Sequence, residues 1–222
     1  MSPLNLLPIL GGLILLPFLP LQPEQDKAAA AQAPNRFIGA QACKNCHNGP
    51  EKGDTFDKWQ KGPHAKAFET LGTPKAKEIA AKLKIEDPQK SEQCLKCHQT
   101  AFGVDAKEIK RGFKHEAGVQ CESCHGAGEE HFKIRFKESQ AGGTPTPVGA
   151  NEIAVKRDVA TCQKCHNDKS PTYKDFCLKE RMKEIEHYDP RKKRSEEDLK
   201  KLRDACTPDC PKCSGKDKKA DK

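Results

Sequence analysis

Residues 119–131 read Val119-Gln-Cys121-Glu-Ser-Cys124-His125-Gly126-Ala-Gly128-Glu-Glu-His131, and the rest of the chain is read outward from them. The stretch holds a Cys-x-x-Cys-His unit, the attachment pattern of a c-type haem. Two thiols at that spacing fall on one side of a helical turn, within reach of the two vinyl groups of one porphyrin. The adjacent histidine then binds the iron. The unit recurs as Cys43, Cys46 and His47, as Cys94, Cys97 and His98, and as Cys162, Cys165 and His166. With 12 Cys and 8 His in 222 residues, only about 0.02 copies are expected by chance. Structural zinc would need ligand pairs that converge, and a thioredoxin-like redox pair does not recur four times with a histidine behind it. Four covalently bound haem c groups are therefore expected. Their attachment residues are Cys43, Cys46, Cys94, Cys97, Cys121, Cys124, Cys162 and Cys165, and their proximal ligands are His47, His98, His125 and His166.

Composition agrees with such a molecule. Hydrophobic residues make up 35% and charged residues 32%, which is poor material for a protein-only core. Four porphyrins would supply the missing apolar surface at fixed places. The fold expected is mainly α, a multihaem cytochrome c whose haems form most of the core, with little or no β, and the chain without haem should be largely disordered. The formal charge is +8, and residues 1–33 contribute only Glu24, Asp26 and Lys27. Haem propionates, at about −1 net per ferric and −2 per ferrous haem, bring the remainder to roughly +5 oxidised and +1 reduced. Much of the basic surplus thus balances propionates. What is left suits an acidic redox partner or an anionic membrane surface. No aromatic-basic interleaving appears, and nucleic acid is not an expected partner.

The chain divides into three parts. Residues 1–33 combine an uncharged apolar run with the Ala-rich stretch at 28–33, and read as a signal peptide or an N-terminal anchor formed by residues 4–21. No basic residue precedes the apolar run, and Pro8, Gly11, Gly12 and Pro17 weaken it as a spanning helix. Either reading puts the body in the periplasm or otherwise outside the cytoplasmic membrane. Residues 34–190 hold the haem sites, with short helices expected over Asp54–Trp59, Pro63–Leu71 and from Thr73-Pro74 to Ile85, and a further one opened by Ser170-Pro171. Residues 191–222 form a basic extension, with Ser195 and Asp198 placed as a capping box.

Counting ligands sets the chemistry. Beyond the motif histidines four remain: His64, His115, His131 and His187. Met182 is the one methionine beyond the start, which leaves little room for methionine ligation. The matching numbers suggest as many as four bis-histidine, low-spin haems of low potential. Each remaining histidine has an ordinary alternative as a surface or helix-end residue.

The order of these elements resembles the tetrahaem cytochromes c of the cytochrome c-554 type, the electron acceptors of hydroxylamine oxidoreductase in ammonia oxidation. The resemblance runs from about residue 37 to 188. It is carried by Cys43-Lys-Asn-Cys-His47, by Trp59 followed by His64-Ala-Lys-Ala, and by Cys94-Leu-Lys-Cys-His98. Gly118-Val-Gln-Cys121-Glu-Ser-Cys-His-Gly126 with His131 after it, Cys162-Gln-Lys-Cys-His166, and Glu186-His187-Tyr188 complete it. It implies a mainly helical fold with haems packed in close pairs. It also implies that His64 serves the fourth haem, His131 the first and His187 the third, with the second haem five-coordinate, high-spin and open to nitric oxide chemistry. His115 has no counterpart in the type member. It either closes the second haem, making all four bis-histidine, or is an exposed histidine.

Cys177, Cys206, Cys210 and Cys213 precede no histidine. In an exported protein they read as disulfides, Cys177 with Cys206 and Cys210 with Cys213, or as a Cys₄ metal site. The leading function is an exported electron-transfer protein in nitrogen-compound oxidation or reduction, not an enzyme. Its partners would be a hydroxylamine-oxidoreductase-like donor and a downstream cytochrome or quinone-linked acceptor. A small reductase of nitric oxide or a related compound at the second haem, and a membrane-anchored quinol-linked carrier, are the alternatives.

Overall fold

Each attachment motif folds as one helical turn, and these turns organise the chain. The computed structural model describes residues 34–153, 159–173, 178–190 and 194–204, all within a single unit, Pro34–Lys222. In chain order the helices are α1 (Ala40–Lys44), α2 (Thr55–Lys61), α3 (Ala67–Thr70), α4 (Pro74–Lys82), α5 (Glu92–His98), α6 (Cys121–His125), α7 (Glu129–Ala141), α8 (Val159–Gln163), α9 (Leu178–Ile185) and α10 (Glu196–Asp204). Among the described residues there is no strand, only an isolated parallel bridge between Phe37 and Ile109. The fold is mainly α. No helix among the described residues is long and apolar enough to cross a membrane. Residues 1–33 and Cys177, Cys206, Cys210 and Cys213 lie outside the described residues.

Local chemistry accounts for the helix ends. Thr73 caps α4, its hydroxyl accepting from the Ala76 N–H at 3.3 Å, with Pro74 at the first position. Ser195 and Asp198 form the expected reciprocal box at α10: Ser195 Oγ accepts from the Asp198 N–H at 3.1 Å, and Asp198 Oδ2 from the Ser195 N–H at 3.2 Å. Ser170-Pro171 departs from expectation. It forms a turn in which Ser170 Oγ accepts from the Thr172 N–H at 3.4 Å and the Ser170 carbonyl accepts from the Tyr173 N–H at 3.0 Å. The serine side chain is spent on a local turn, a known competitor of helix capping. The next helix, α9, starts at Leu178.

Proline and glycine aside, the buried apolar residues among those described are Ala40, Phe56, Leu71, Ala80 and Leu95. An equally long set of polar residues is buried beside them: Thr100, Gln120, Glu122, Glu129 and Glu152. Most of the helices have fewer than ten residues, too short to stand alone in water. The architecture is therefore held by polar clasps. The segment before α1 is pinned to α7, where Arg36 Nε and Nη2 donate to Glu129 at 2.6 and 2.7 Å and Lys110 Nζ adds a third contact at 2.6 Å. The Glu129 N–H closes the loop on the Arg36 carbonyl at 3.1 Å.

This clasp predicts an acid limb. The Arg36 guanidinium, and with it Lys110, holds the Glu129 carboxyl well below the usual carboxylate range, at about 2, against the opposing effect of its burial. A depressed carboxyl contributes stability at pH values above the ordinary carboxylate pKa and loses it as pH falls through the folded value. The thermal midpoint should drop as pH is lowered from about 4.5 toward 2, and Glu129→Gln should flatten that limb while lowering the midpoint at neutral pH. Glu122, whose carboxyl burial pushes up, works in the opposite sense and makes the limb shallower. A pH series of melts on both proteins checks this; identical limbs would contradict it.

Candidate haem sites

The motif turns are built alike. The His47 N–H donates to the Cys43 carbonyl and the His166 N–H to the Cys162 carbonyl, both at 2.9 Å, while α5 and α6 contain the second and third motifs whole. None of the eight motif thiols is in a disulfide. The thiols of different motifs meet. Cys43 lies beside Cys121, and Cys165 beside Cys97 and Cys124. The first motif thus adjoins the third, and the fourth adjoins both the second and the third.

Three histidine pairs face one another across the fold. His47 and His131 have ring centroids 6.1 Å apart with planes at 23°. His64 and His166 are also 6.1 Å apart, at 55°, as are His125 and His187. Direct ring stacking would bring the centroids nearer. An iron between two imidazoles, with metal–nitrogen bonds of about 2.0–2.1 Å and about 1.2 Å from nitrogen to ring centre, would set the centroids roughly 6.3 Å apart. The residues present therefore fit a six-coordinate haem iron at the first, fourth and third motifs.

Hydrogen bonds orient the rings. His187 Nδ1 lies 3.0 Å from the Ile185 carbonyl and His98 Nδ1 lies 2.6 Å from the Ala67 carbonyl. A carbonyl can only accept, so Nδ1 carries the proton and Nε2 keeps the lone pair an iron requires. His131 Nδ1 faces Glu152 Oε2 at 3.2 Å instead. Burial, and then the facing His166, lowers the pKa of His64, and burial lowers that of His166. Both imidazoles are thereby kept neutral, the state that binds metal.

His98 differs. Among the described ring contacts none sets a histidine against it. His115 lies instead in a 3₁₀ turn, edge-on to Phe113 at 4.9 Å, and Phe113 packs against Phe37. The cause is local: Gln120 Nε2 donates to the Lys114 carbonyl at 2.8 Å, which holds this turn against the segment before α1.

The junction itself rests on residues that the sequence reading did not single out. Glu122 Oε1 accepts from the Ile38 and Gly128 N–H groups at 2.9 and 2.8 Å, and Oε2 from the Gly39 N–H at 2.7 Å. Gln120 Oε1 accepts from the Ala40 N–H at 2.8 Å. Thr100 Oγ1 accepts from the Gln120 N–H at 2.7 Å and meets Ser123 Oγ at 2.6 Å. The Trp59 indole donates to the Val119 carbonyl at 2.8 Å, and the Val119 N–H donates to the His64 carbonyl at 2.9 Å. Gly118, at φ +74°, allows that approach, since a Cβ there would sit 2.6 Å from the His64 carbonyl oxygen. These bonds tie the first three motifs and the His64 turn to one segment. The sequence signal was slight: a carboxylate and an amide placed beside motif cysteines, between glycines.

Comparison with known proteins bears on this arrangement. Residues 42–126 match the family model described as cytochrome c554 and c-prime. Over 156 residues the chain is 31% identical to cytochrome c-554 of Nitrosomonas europaea, an alignment that covers 63% of this chain and 60% of that relative. The chain thus spans less than two thirds of the relative's length. No solved structure matches.

Proposed function

We propose, on the premise that residues 42–126 are of the cytochrome c-554 type, that this chain is an exported c-type cytochrome carrying electrons between redox proteins through four covalently attached haems. The observation that carries this reading is the set of three facing histidine pairs at one common separation, 6.1 Å. Such ligation leaves no position for substrate at those irons, which favours a carrier over a catalyst. When bound, the haems supply one-electron chemistry by cycling between ferric and ferrous iron. The protein's part is placement and tuning. The motif cysteines would anchor each porphyrin and the three ring pairs would hold the irons at the first, third and fourth motifs, while the neighbouring motif cysteines support an electron route in the order first, third, fourth, second. The donor would be an oxidoreductase acting on a reduced nitrogen compound, the acceptor a further cytochrome or a quinone-linked protein, and the location the periplasm.

One observation favours a second reading at the second motif. His98 has no described histidine opposite it, and His115 is engaged with Phe113. An open iron there would bind a small ligand such as nitric oxide, so that reductase activity would belong to that haem alone.

Paramagnetic resonance and intact mass of the purified holoprotein test both readings. The expected result is a mass carrying four haems, with three low-spin ferric signals and one high-spin signal that His115→Ala leaves unchanged. A high-spin signal that appears only in His115→Ala would sink the open-iron reading. A mass with fewer haems would sink the four-haem carrier.

A further inference from the structure

We propose that Glu152 is a positioning residue that acts through His131, holding its ring and lowering the reduction potential of the haem attached at Cys43 and Cys46. This rests on ligation of that haem by His47 and His131. His131 Nδ1 donates to Glu152 Oε2 at 3.2 Å. Glu152 is buried, at 7% exposure, and is fixed from two further directions. Arg135 Nη2 meets both carboxylate oxygens at 2.6 Å, and the Gly149 N–H donates to Oε1 at 2.7 Å. Arg135 is itself anchored, donating to Glu138 at 2.8 Å and to the Thr146 carbonyl at 2.7 Å. The carboxylate therefore cannot swing away to solvent, and its partner ring inherits a fixed orientation.

An anionic acceptor on Nδ1 makes Nε2 a stronger donor to iron and favours the ferric state, which lowers the potential. His187 and His98 place Nδ1 against neutral backbone carbonyls, Ile185 and Ala67. The same ligand type is thus tuned differently from haem to haem. Arg135 shares the charge of Glu152, which keeps the effect below that of an unpaired carboxylate. The haem held by His131 would thus lie lower than one whose histidines face only neutral carbonyls, with the same axial ligand type.

A redox titration of the holoprotein, followed by paramagnetic resonance, tests this with Glu152→Gln, Glu152→Asp and His131→Ala. In Glu152→Gln the ferrous-to-ferric ratio of one low-spin haem at fixed potential should rise about tenfold, equivalent to 59 mV for one electron. The g-values of that haem should move while the other haems keep theirs. Glu152→Asp keeps the charge beside Arg135 but withdraws it from His131, and should raise the midpoint of the same haem. Unmoved midpoints in both variants, with low-spin signals intact, overturn the inference. A shift in Glu152→Gln alone assigns the effect to charge through space and overturns the route through His131. If His131→Ala converts no low-spin haem to high spin, the ligation itself has failed, and the inference falls with it.

Discussion

Replacing all eight motif cysteines with serine is expected to leave a chain with no cooperative thermal transition and little helix. Ordering a residue costs about 1–2 kcal/mol of backbone entropy, and burial must offset that over the whole body. The described residues bury Ala40, Phe56, Leu71, Ala80, Pro88 and Leu95 as apolar side chains, and two of these are alanines. Helices such as α1, α6 and α8, five residues each, are far below the length at which a helix persists in water. The motif thiols adjoin one another across motifs, at Cys43 with Cys121 and at Cys97 with Cys165, and a porphyrin at each would supply the apolar faces that these contacts bring together. Circular dichroism and calorimetry on the octuple variant, beside the holoprotein, measure this. A sharp transition with an unfolding enthalpy near 0.7 kcal/mol per residue would show a self-sufficient protein core and sink the expectation.

What could be read in the sequence and what could not separate along one physical line. The attachment motifs are local, each a few residues in one helical turn, so spacing alone places them. The capping box at Ser195 is local too, and it forms as read. Ser170-Pro171 is also local, yet two local bonding patterns compete there, and the side chain went to the turn. The partner histidines are not local at all. Counting shows that four are at hand, but which faces which depends on how distant turns pack. Nothing in the residues around His131 says that it lies opposite His47. Only the resemblance implies that His131 serves the first haem, and the two rings stand 6.1 Å apart.

His115 shows the cost of counting without packing. The numbers allow it to close the second haem, while the contacts described at its turn are with Phe113, itself packed on Phe37, and through the Gln120–Lys114 bond. Glu152 is the reverse case. It follows the Gly- and Pro-rich stretch 141–149, which suggests a connection and nothing more. Its role depends on Arg135 and His131 from α7 meeting it in space. A buried carboxylate that gathers distant partners has no signature in one dimension.

The second large effect is expected at Glu122, where it should scale with the number of donors left without an acceptor. Its carboxylate is 2% exposed and serves the N–H groups of Ile38, Gly39 and Gly128. Two of these lead into α1, which holds Cys43 of the first motif, and the third leads into α7, which carries His131. Burial raises the carboxyl pKa while the three N–H donors pull it back, so the site balances desolvation against hydrogen bonding. Glu122→Ala strips all three donors of their partner at about 1–3 kcal/mol each, a total of roughly 3–6 kcal/mol after partial relaxation. At about 2–4 °C per kcal/mol for a chain of this size, the holoprotein should lose roughly 10–20 °C of thermal midpoint. Glu122→Gln keeps one oxygen, which can still serve Ile38 and Gly128, but it sets an amide N–H against that of Gly39. Its loss should be about a third as large. The graded pair separates the hydrogen-bonding role from charge: Gln removes the charge as fully as Ala does, so if charge alone mattered the two would fall together. Because the bonds join the first and third motifs, the Ala variant should also broaden the low-spin signal of the His47 haem before any melting. Equal large losses in the two variants would assign the effect to charge and overturn the hydrogen-bonding role, while a loss below about 1 kcal/mol in Glu122→Ala would mean that the junction is held by its porphyrins and not by this carboxylate.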